Sequence, residues 1–205
     1  MKTEDCKIFI IDDDETVRRS LALMLRSAGY TTETFAGIRD FLTSSNYQGL
    51  GCILLDVFLK EETGLSLQEE ISNKFCHLPI IFVTGYGDIP MSVKALKNGA
   101  INFLQKPVDD QLLLEAVAEA LKISKANFLH INESARIKSL FQKLTSRERD
   151  VFNLIITGLL NKQIAGKLNI SENTVKIHRG RITEKLGVKS VAEMVHMAEV
   201  MNPRK

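Results

Sequence analysis

Short apolar runs alternate with amphipathic helical segments through the first 123 residues of the chain. Most of the runs are rich in Ile, Leu, Val and Phe, which is typical of strands buried on both faces. The five predicted strands are Lys7–Ile11, Thr31–Phe35, Cys52–Leu55, Ile80–Thr84 and Ile101–Leu104. Because a helical pattern follows each strand, this part of the chain predicts an α/β doubly wound, parallel five-stranded sheet.

The helices between these strands begin near residues that favour helix starts, and two of them end at glycine. Asp88 is predicted to cap one helix, whose first turn tolerates Pro90. The predicted helices are Glu15 to Ala28, Gly37 to about Ser45, Gly64 to about Lys74, Asp88 to Gly99, and Asp109 to about Lys122.

Beyond residue 141 the apolar pattern is helical only. Thr145 and Glu148 have the spacing of a capping box, and the helix that they begin is predicted to end at Gly158. Asn161 is predicted to cap a second helix and Ser171 a third, which together indicate a small all-α helix-turn-helix domain. The third helix has a core stripe at positions Val175, His178, Ile182 and Leu186.

The net charge of +2 conceals a division along the chain. Residues 1–123 hold 12 Lys/Arg and 18 Asp/Glu, whereas residues 124–205 hold 15 and 7. The first segment therefore has a net charge of −6 and the second of +8. A basic segment beside an acidic one predicts two domains, of which the basic one meets a polyanion.

The three cysteines have no C-x-x-C spacing, which argues against a disulfide scaffold or a zinc site and favours a reducing compartment. The first residues, MKTEDCK, contain no apolar signal region, and no apolar run is long enough to cross a membrane. We therefore expect a cytoplasmic protein with no membrane partner.

Polar residues follow four of the predicted strands at their carboxyl ends, where ligands bind to doubly wound sheets. Asp12 and Asp13 follow the first strand, Asp56 the third, Thr84 ends the fourth, and Lys106 follows the fifth. Clustered carboxylates suit Mg²⁺, which takes one or two protein carboxylates and keeps several waters. Beside the metal, Asp56 is a candidate nucleophile toward a phosphoryl group, with Lys106 and Thr84 as partners of the phosphoryl oxygens. Strand-end turns and caps are the alternative explanation for each residue taken alone.

These residues resemble the receiver domain of two-component response regulators. The resemblance rests on Ile10-Ile11-Asp12-Asp13, Asp56, Val83-Thr84-Gly85 and Lys106-Pro107, and it spans residues 6–121. The run TGYGDIPMSVKALKNGAINFLQKP is similar to the FixJ-type branch of that family.

The resemblance implies that Asp56 accepts phosphate from a histidine kinase. It implies that Asp13 and Asp56 bind Mg²⁺ directly, that Asp12 holds the metal through water, and that the backbone carbonyl of Phe58 is a further ligand.

The same resemblance implies that Thr84 and Phe103 rearrange on phosphorylation and that the Lys106–Pro107 peptide bond is cis. One pair of residues departs from the family, because Leu59-Lys60 stands where Met-Pro is usual. We interpret this change as altered rigidity and charge of the loop, with phosphate acceptance intact.

The third helix of the basic segment has an exposed, mostly polar face, which suits the major groove of DNA. Its residues are Asn173, Thr174, Lys176, Ile177, Gly180 and Arg181. The motifs TSRE, NKQIA and TVKIH make residues 141–205 similar to the LuxR/NarL-type DNA-binding domain. That resemblance implies base contacts from Lys176 and Ile177, and phosphate contacts from Thr174 and Lys162.

We therefore predict three segments: a receiver domain at 6–121, a partly helical linker at 122–140, and a LuxR-type domain at 141–205. The predicted function is a transcriptional response regulator switched by phosphorylation of Asp56. The predicted partners are a histidine kinase, double-stranded promoter DNA, RNA polymerase, and a second copy of the chain bound through the helix 88–99 and strand 101–104.

Two alternatives come from other classes of protein. An aspartyl-nucleophile phosphatase or mutase would use the same kind of sheet, but its D-x-D motif is absent because Val57-Phe58 follows Asp56. A receiver that acts by contact, without phosphorylation, would not need all of the acids that this chain retains. We expect the chain to have no enzymatic activity beyond self-phosphorylation from small phosphodonors and slow self-dephosphorylation.

Overall fold

We describe a computed structural model of the chain, which covers residues 6–44, 47–60 and 63–201. The predicted helix end at Ser45 and the last four residues of the predicted C-terminal domain, 202–205, lie outside the described residues. The chain forms two compact units, Met1–Leu129 and His130–Lys205.

The first unit is built on one five-stranded sheet whose strand order is β2-β1-β3-β4-β5. Its strands are β1 (Cys6–Ile11), β2 (Thr31–Phe35), β3 (Leu50–Leu55), β4 (Ile80–Thr84) and β5 (Asn102–Gln105). All four pairings between neighbouring strands are parallel, which confirms the predicted fold class.

Strand β3 begins two residues earlier than the hydrophobic pattern predicts. Leu50 and Gly51 continue the ladder against Cys6 and Lys7 of β1. The strands approach closely there, since a Cβ on Gly51 would lie 2.0 Å from the carbonyl oxygen of Lys7. Only glycine fits that position, and glycine is a weak strand signal in the sequence.

Helices cover both faces of the sheet. They are α1 (Glu15–Ser27), α2 (Ile38–Ser44), α3 (Gly64–Lys74), α4 (Ile89–Lys97) and the part of α5 (Asp110–Gln142) that precedes His130. Alternate residues of each strand enter opposite cores: Phe9 and Ile11 pack in one, and Ile8 and Ile10 pack in the other. Helix α5 contains all of the predicted linker, 122–140.

The second unit contains α6 (Ser146–Ile155), α7 (Asn161–Leu168), α8 (Glu172–Leu186) and α9 (Val191–Met201). The capping box at Thr145 and Glu148 is present at the start of α6. The prediction that Asn161 caps α7 is wrong, because the N-cap is Leu160 and Asn161 is the first helical residue. The side chain of Gln163 accepts a hydrogen bond from the Leu160 N–H at 2.8 Å. This bond satisfies the backbone N–H of the N-cap residue.

One histidine is buried in the first unit. The ring of His77 lies 6.3 Å from the ring of Phe128 on α5. Burial lowers its pKa, although a backbone hydrogen bond partly opposes this effect. Within the described residues, no helix is both long and apolar enough to span a membrane.

Candidate metal centre and nucleic-acid interface

Three carboxylates meet at the carboxyl edge of the sheet. Asp12 follows β1 and is 2% exposed, Asp56 follows β3 and is 7% exposed, and Asp13 is half-buried. One carboxylate oxygen from each of the three lies within 4.8 Å of the others. The strand pairing brings the first two together, because Ile11 of β1 is in register with Leu55 of β3. The residues that follow them, Asp12 and Asp56, therefore lie side by side.

Lys106 joins two of these carboxylates. Its Nζ lies 2.5 Å from Asp12 Oδ2 and 2.6 Å from Asp56 Oδ2. Its backbone N–H donates to the carbonyl of Thr84 at 2.8 Å, and its peptide bond to Pro107 is cis. Burial alone would lower the pKa of Lys106, but the hydrogen bonds and charges of Asp12 and Asp56 raise it.

The cluster has more negative than positive charge. Three carboxylates face one ammonium, so two negative charges remain when all four groups are ionised. Burial raises the pKa of Asp12 in spite of its hydrogen bond from Lys106, as expected for an acid that lacks enough positive partners. The oxygen donors and their residual charge fit a hard divalent cation such as Mg²⁺.

Backbone contacts hold the Asp56 carboxylate in place. Its Oδ1 accepts from the N–H of Phe58 at 3.1 Å, and its own N–H donates to the Ile11 carbonyl at 2.8 Å. A β-bridge between Phe58 and Thr63 closes the loop after β3. Gly64 allows α3 to start there, since a Cβ on it would lie 2.4 Å from the Asp56 carbonyl oxygen.

Thr84 and Phe103, the two residues expected to rearrange, lie on the neighbouring strands β4 and β5. Thr84 is buried, and its hydroxyl is 3.3 Å from the Tyr86 carbonyl oxygen and 3.4 Å from the Tyr86 nitrogen. Phe103 is half-buried, with its ring 6.2 Å from that of Phe82. The hydroxyl of Thr84 thus contacts its own loop and not the Asp56 carboxylate.

Two residues near the cluster were missed by sequence reasoning. Asp14 is the N-cap of α1 and accepts from the Thr16 N–H at 2.7 Å, which lowers its pKa. An aspartate directly before a helical pattern is a signal that would have found it. Arg18 donates from Nη1 to the carbonyl of Asp12 at 2.5 Å, and no motif in the sequence marks that contact.

In the second unit, α8 has the two faces that its sequence predicts. Val175, Ile182 and Leu186 are buried, and His178 is half-buried. The opposite face is exposed at five positions: Asn173, Lys176, Ile177, Gly180 and Arg181.

Two candidate phosphate contacts lie beside this exposed face. Thr174 is half-buried, and its hydroxyl lies 2.8 Å from that of the N-cap Ser171. Lys162, on α7, is exposed. An exposed basic helix face, with a further lysine on the preceding helix, has the chemistry required to meet DNA phosphates and base edges.

A second ion pair joins α6 to α8. Glu148 of α6 is 2% exposed, and its Oε2 lies 2.6 Å from Lys185 Nζ. The same oxygen accepts from the Thr145 N–H at 2.8 Å. Burial alone would raise the pKa of Glu148, but the hydrogen bonds from Lys185 and Thr145 lower it to about 2.

Comparison with known protein families assigns both units. Residues 8–118 match the response regulator receiver domain, and residues 142–198 match the bacterial regulatory proteins of the luxR family. The chain is 42% identical to nodulation protein W of Bradyrhizobium diazoefficiens over 194 residues, which cover 95% of this chain and 86% of that protein. It is 34% identical to the transcriptional regulatory protein FixJ of Rhizobium meliloti, with 95% of each chain covered.

Among solved structures, the chain is similar to the response regulator StyR. The TM-score is 0.80 at 42% sequence identity, and the match covers 95% of this chain and 98% of StyR.

Proposed function

Because the chain belongs to the bacterial response regulators that join a receiver domain to a LuxR-type DNA-binding domain, we propose that phosphorylation of Asp56 by a histidine kinase controls its binding to promoter DNA. The family is one of transcriptional regulators and not of classical enzymes. The observation that carries the proposal is the position of Asp56, which is held by backbone and Lys106 among excess negative charge.

Asp56 is suited to act as the nucleophile. One of its carboxylate oxygens attacks phosphorus, the bond from phosphorus to the imidazole nitrogen of phosphohistidine breaks, and an acyl phosphate forms. The ammonium of Lys106, 2.6 Å from Asp56 Oδ2, offsets charge on the phosphoryl oxygens. Asp13, Asp56 and the Phe58 carbonyl would hold Mg²⁺, and Asp12 would hold it through water. When bound, this ion supplies neutralisation of the carboxylate and phosphoryl charges.

In our proposal, Thr84 and Phe103 transmit the effect of Asp56 phosphorylation to the rest of the domain. The hydrogen bonds of the Thr84 hydroxyl to Tyr86 are long, 3.3 and 3.4 Å, so little is lost when it turns toward a phosphoryl oxygen. Gly87 borders Phe103, and a Cβ on Gly87 would lie 2.6 Å from that ring. A movement of the Thr84 loop therefore alters the space available to the Phe103 side chain.

We assign the response to phosphorylation to the surface formed by α4 and β5. Helix α4 exposes three large apolar side chains, Ile89, Val93 and Leu96. Exposed apolar groups along one helix are suited to bury against a partner. We assign this face to a homodimer that forms on phosphorylation and binds two half-sites about 34 Å apart.

On DNA, we assign base contacts to the exposed α8 residues Lys176 and Ile177, with Asn173 beside them. Lys162, Thr174 and Arg181 are assigned to the phosphates. Transcription control at a promoter makes RNA polymerase a further partner. A kinase partner, a DNA target and three cysteines that form no disulfide all favour the cytoplasm as the compartment.

The proposal is tested by phosphorylation of the whole chain with acetyl phosphate and Mg²⁺. Intact-mass measurement should show one added phosphoryl group on the wild type and none on Asp56→Asn. Asp88→Asn is a matched control, because asparagine replaces aspartate equally well as an N-cap of α4. Sedimentation of the same samples should show a larger dimer fraction only where the phosphoryl group is present. An unmodified wild type, or equal modification of Asp56→Asn, contradicts the proposal.

A further inference from the structure

Asp12 has all of its polar groups engaged. Its N–H donates to the Phe35 carbonyl at 3.2 Å, and its Oδ1 accepts from the Asp14 N–H at 2.9 Å. Its Oδ2 lies 2.5 Å from Lys106 Nζ. The remaining group, the backbone carbonyl, accepts from Arg18 Nη1 at 2.5 Å. The sheet, the loop and Lys106 account for the first three contacts, whereas the fourth requires a side chain six residues further along.

Arg18 is an unusual residue for its position. It lies in the first turn of α1, which begins at Glu15. Cations in a first turn are opposed by the helix dipole, which favours acids there. The acidic loop at Asp12 to Asp14 offsets that cost, and the guanidinium donates to the backbone carbonyl of Asp12.

The carbonyl that Arg18 binds controls the next residue. The carbonyl of Asp12 and the N–H of Asp13 belong to one planar peptide unit. A bond that sets the direction of this carbonyl therefore also sets the direction in which the Asp13 main chain and carboxylate continue. Asp13 is half-buried and contributes an oxygen to the carboxylate cluster.

We propose that Arg18 is a positioning residue for the metal site, holding the Asp12–Asp13 peptide so that the Asp13 carboxylate faces a divalent cation. The proposal rests on the magnesium site of the proposed function. It adds a residue that touches neither the ion nor the phosphoryl group and acts through the backbone.

Two effects of Arg18 on the ion oppose each other. Its positive charge repels a cation, whereas its hydrogen bond orders a ligand for that cation. Arg18 is partly exposed, so water and salt screen its charge. The hydrogen bond is a directional contact between a charged donor and a carbonyl, and screening does not remove its geometry. Ordering therefore outweighs repulsion, and loss of Arg18 weakens metal binding.

Arg19 provides a matched control. It is the next residue on the same helix, carries the same charge, and has a side chain that is 81% exposed. Its nearest acid is Glu15, at 3.7 Å, and not the Asp12 loop. Arg19→Gln thus removes one positive charge from α1 without removing the hydrogen bond to Asp12.

The experiment is a calorimetric titration of the full chain with MgCl₂. Arg18→Gln should bind Mg²⁺ about tenfold more weakly than wild type, as expected for loss of a residue that orients a ligand. Arg19→Gln should bind as wild type does. Arg18→Lys should recover part of the loss, because an ammonium can still donate one hydrogen bond to the carbonyl.

A second measurement separates positioning from general support of the fold. In the metal-free protein, Arg18→Gln should move the backbone amide signal of Asp13 and leave the signals of the sheet core in place. Magnesium affinity in Arg18→Gln equal to or tighter than wild type overturns the inference, as does an equal loss in Arg19→Gln. If the wild type itself does not bind Mg²⁺, the metal site of the proposed function fails, and this inference fails with it.

Discussion

Each unit of the chain places a lysine against acidic side chains, but the balance of charge differs between the two. In the first unit, Lys106 contacts Asp12 and Asp56, and the carboxylate of Asp13 lies beside them. In the second unit, Lys185 contacts Glu148, whose carboxylate also accepts from the backbone N–H of Thr145. The first cluster has excess negative charge and the second is neutral.

This difference in charge distinguishes a ligand-binding cluster from a contact that only stabilises the fold. Excess charge that is removed from water is costly unless something from outside offsets it, so the first cluster indicates a ligand site. A neutral pair that also caps a helix needs no external partner, so the second indicates a structural contact. The second unit instead has exposed positive charges on α8, at Lys176 and Arg181, which water solvates without a partner among the described residues.

The largest expected effect comes from breaking the neutral pair. Glu148→Ala leaves Lys185 and the Thr145 N–H without their shared acceptor. Removal of one partner from a buried ion pair costs about 3 kcal/mol of unfolding free energy. Hydrogen exchange of peptides from α6 and α8 should show this loss, while peptides from the sheet stay unchanged. Glu184→Ala removes an exposed acid from α8 and should have little effect.

The same pair gives the second unit a pH dependence. The pKa of Glu148, lowered to about 2, is below the ordinary value of about 4.3 for an unfolded chain. Its stabilisation is therefore complete at neutral pH and is lost as the pH falls from about 5 to about 2. Glu148→Gln should remove most of this dependence. Equal acid sensitivity in the wild type and in Glu148→Gln would show that other groups control it.

A smaller effect is expected when the uncompensated positive charge of α8 is reduced. Lys176→Ala should cost about 1–3 kcal/mol of binding to target DNA and less on scrambled DNA, because Lys176 is assigned to a base. Lys162→Ala is the comparison, since a phosphate contact should weaken all sequences alike and reduce the salt slope by about one. Neither substitution should change the unfolding free energy, because both side chains are exposed. Unchanged affinity in both variants would place the groove-binding surface elsewhere.

The sheet and its strand-end residues could be predicted from the sequence for a physical reason. Buried parallel strands are nearly continuous apolar runs, so the first and third runs end visibly where Asp12 and Asp56 begin. Parallel strands bring those ends to one edge, whatever the details of packing. The roles assigned to these residues remain predictions.

Contacts that depend on side-chain direction could not be predicted in this way. The hydrogen bond from Arg18 to Asp12 is set by how the loop before α1 folds back on that helix. The pair between Lys185 and Glu148 is set by how α8 packs against α6. The depth of His77 depends on Phe128, which lies far away in the sequence and is brought there by α5. In each case the residue has ordinary neighbours in the sequence, and periodicity contains no signal of its partner.

The smallest expected effect has the opposite sign and is the sharpest test of the comparison. Asp13→Asn removes one of the three carboxylates that lie together without enough positive charge. In magnesium-free buffer it should raise the unfolding free energy of the first unit by about 1 kcal/mol, because it relieves repulsion between like charges. Addition of Mg²⁺ should stabilise the wild type and leave Asp13→Asn unchanged.

Tyrosine fluorescence during urea unfolding reports this unit selectively, because all three tyrosines, Tyr30, Tyr47 and Tyr86, lie within it. Glu119→Gln, an exposed acid on α5, is the control for loss of one negative charge. If Asp13→Asn lowers the unfolding free energy of the metal-free first unit, as Glu148→Ala lowers that of the second unit, both clusters are structural. If Asp13→Asn raises it instead, only the carboxylate cluster has excess negative charge that a bound cation would neutralise.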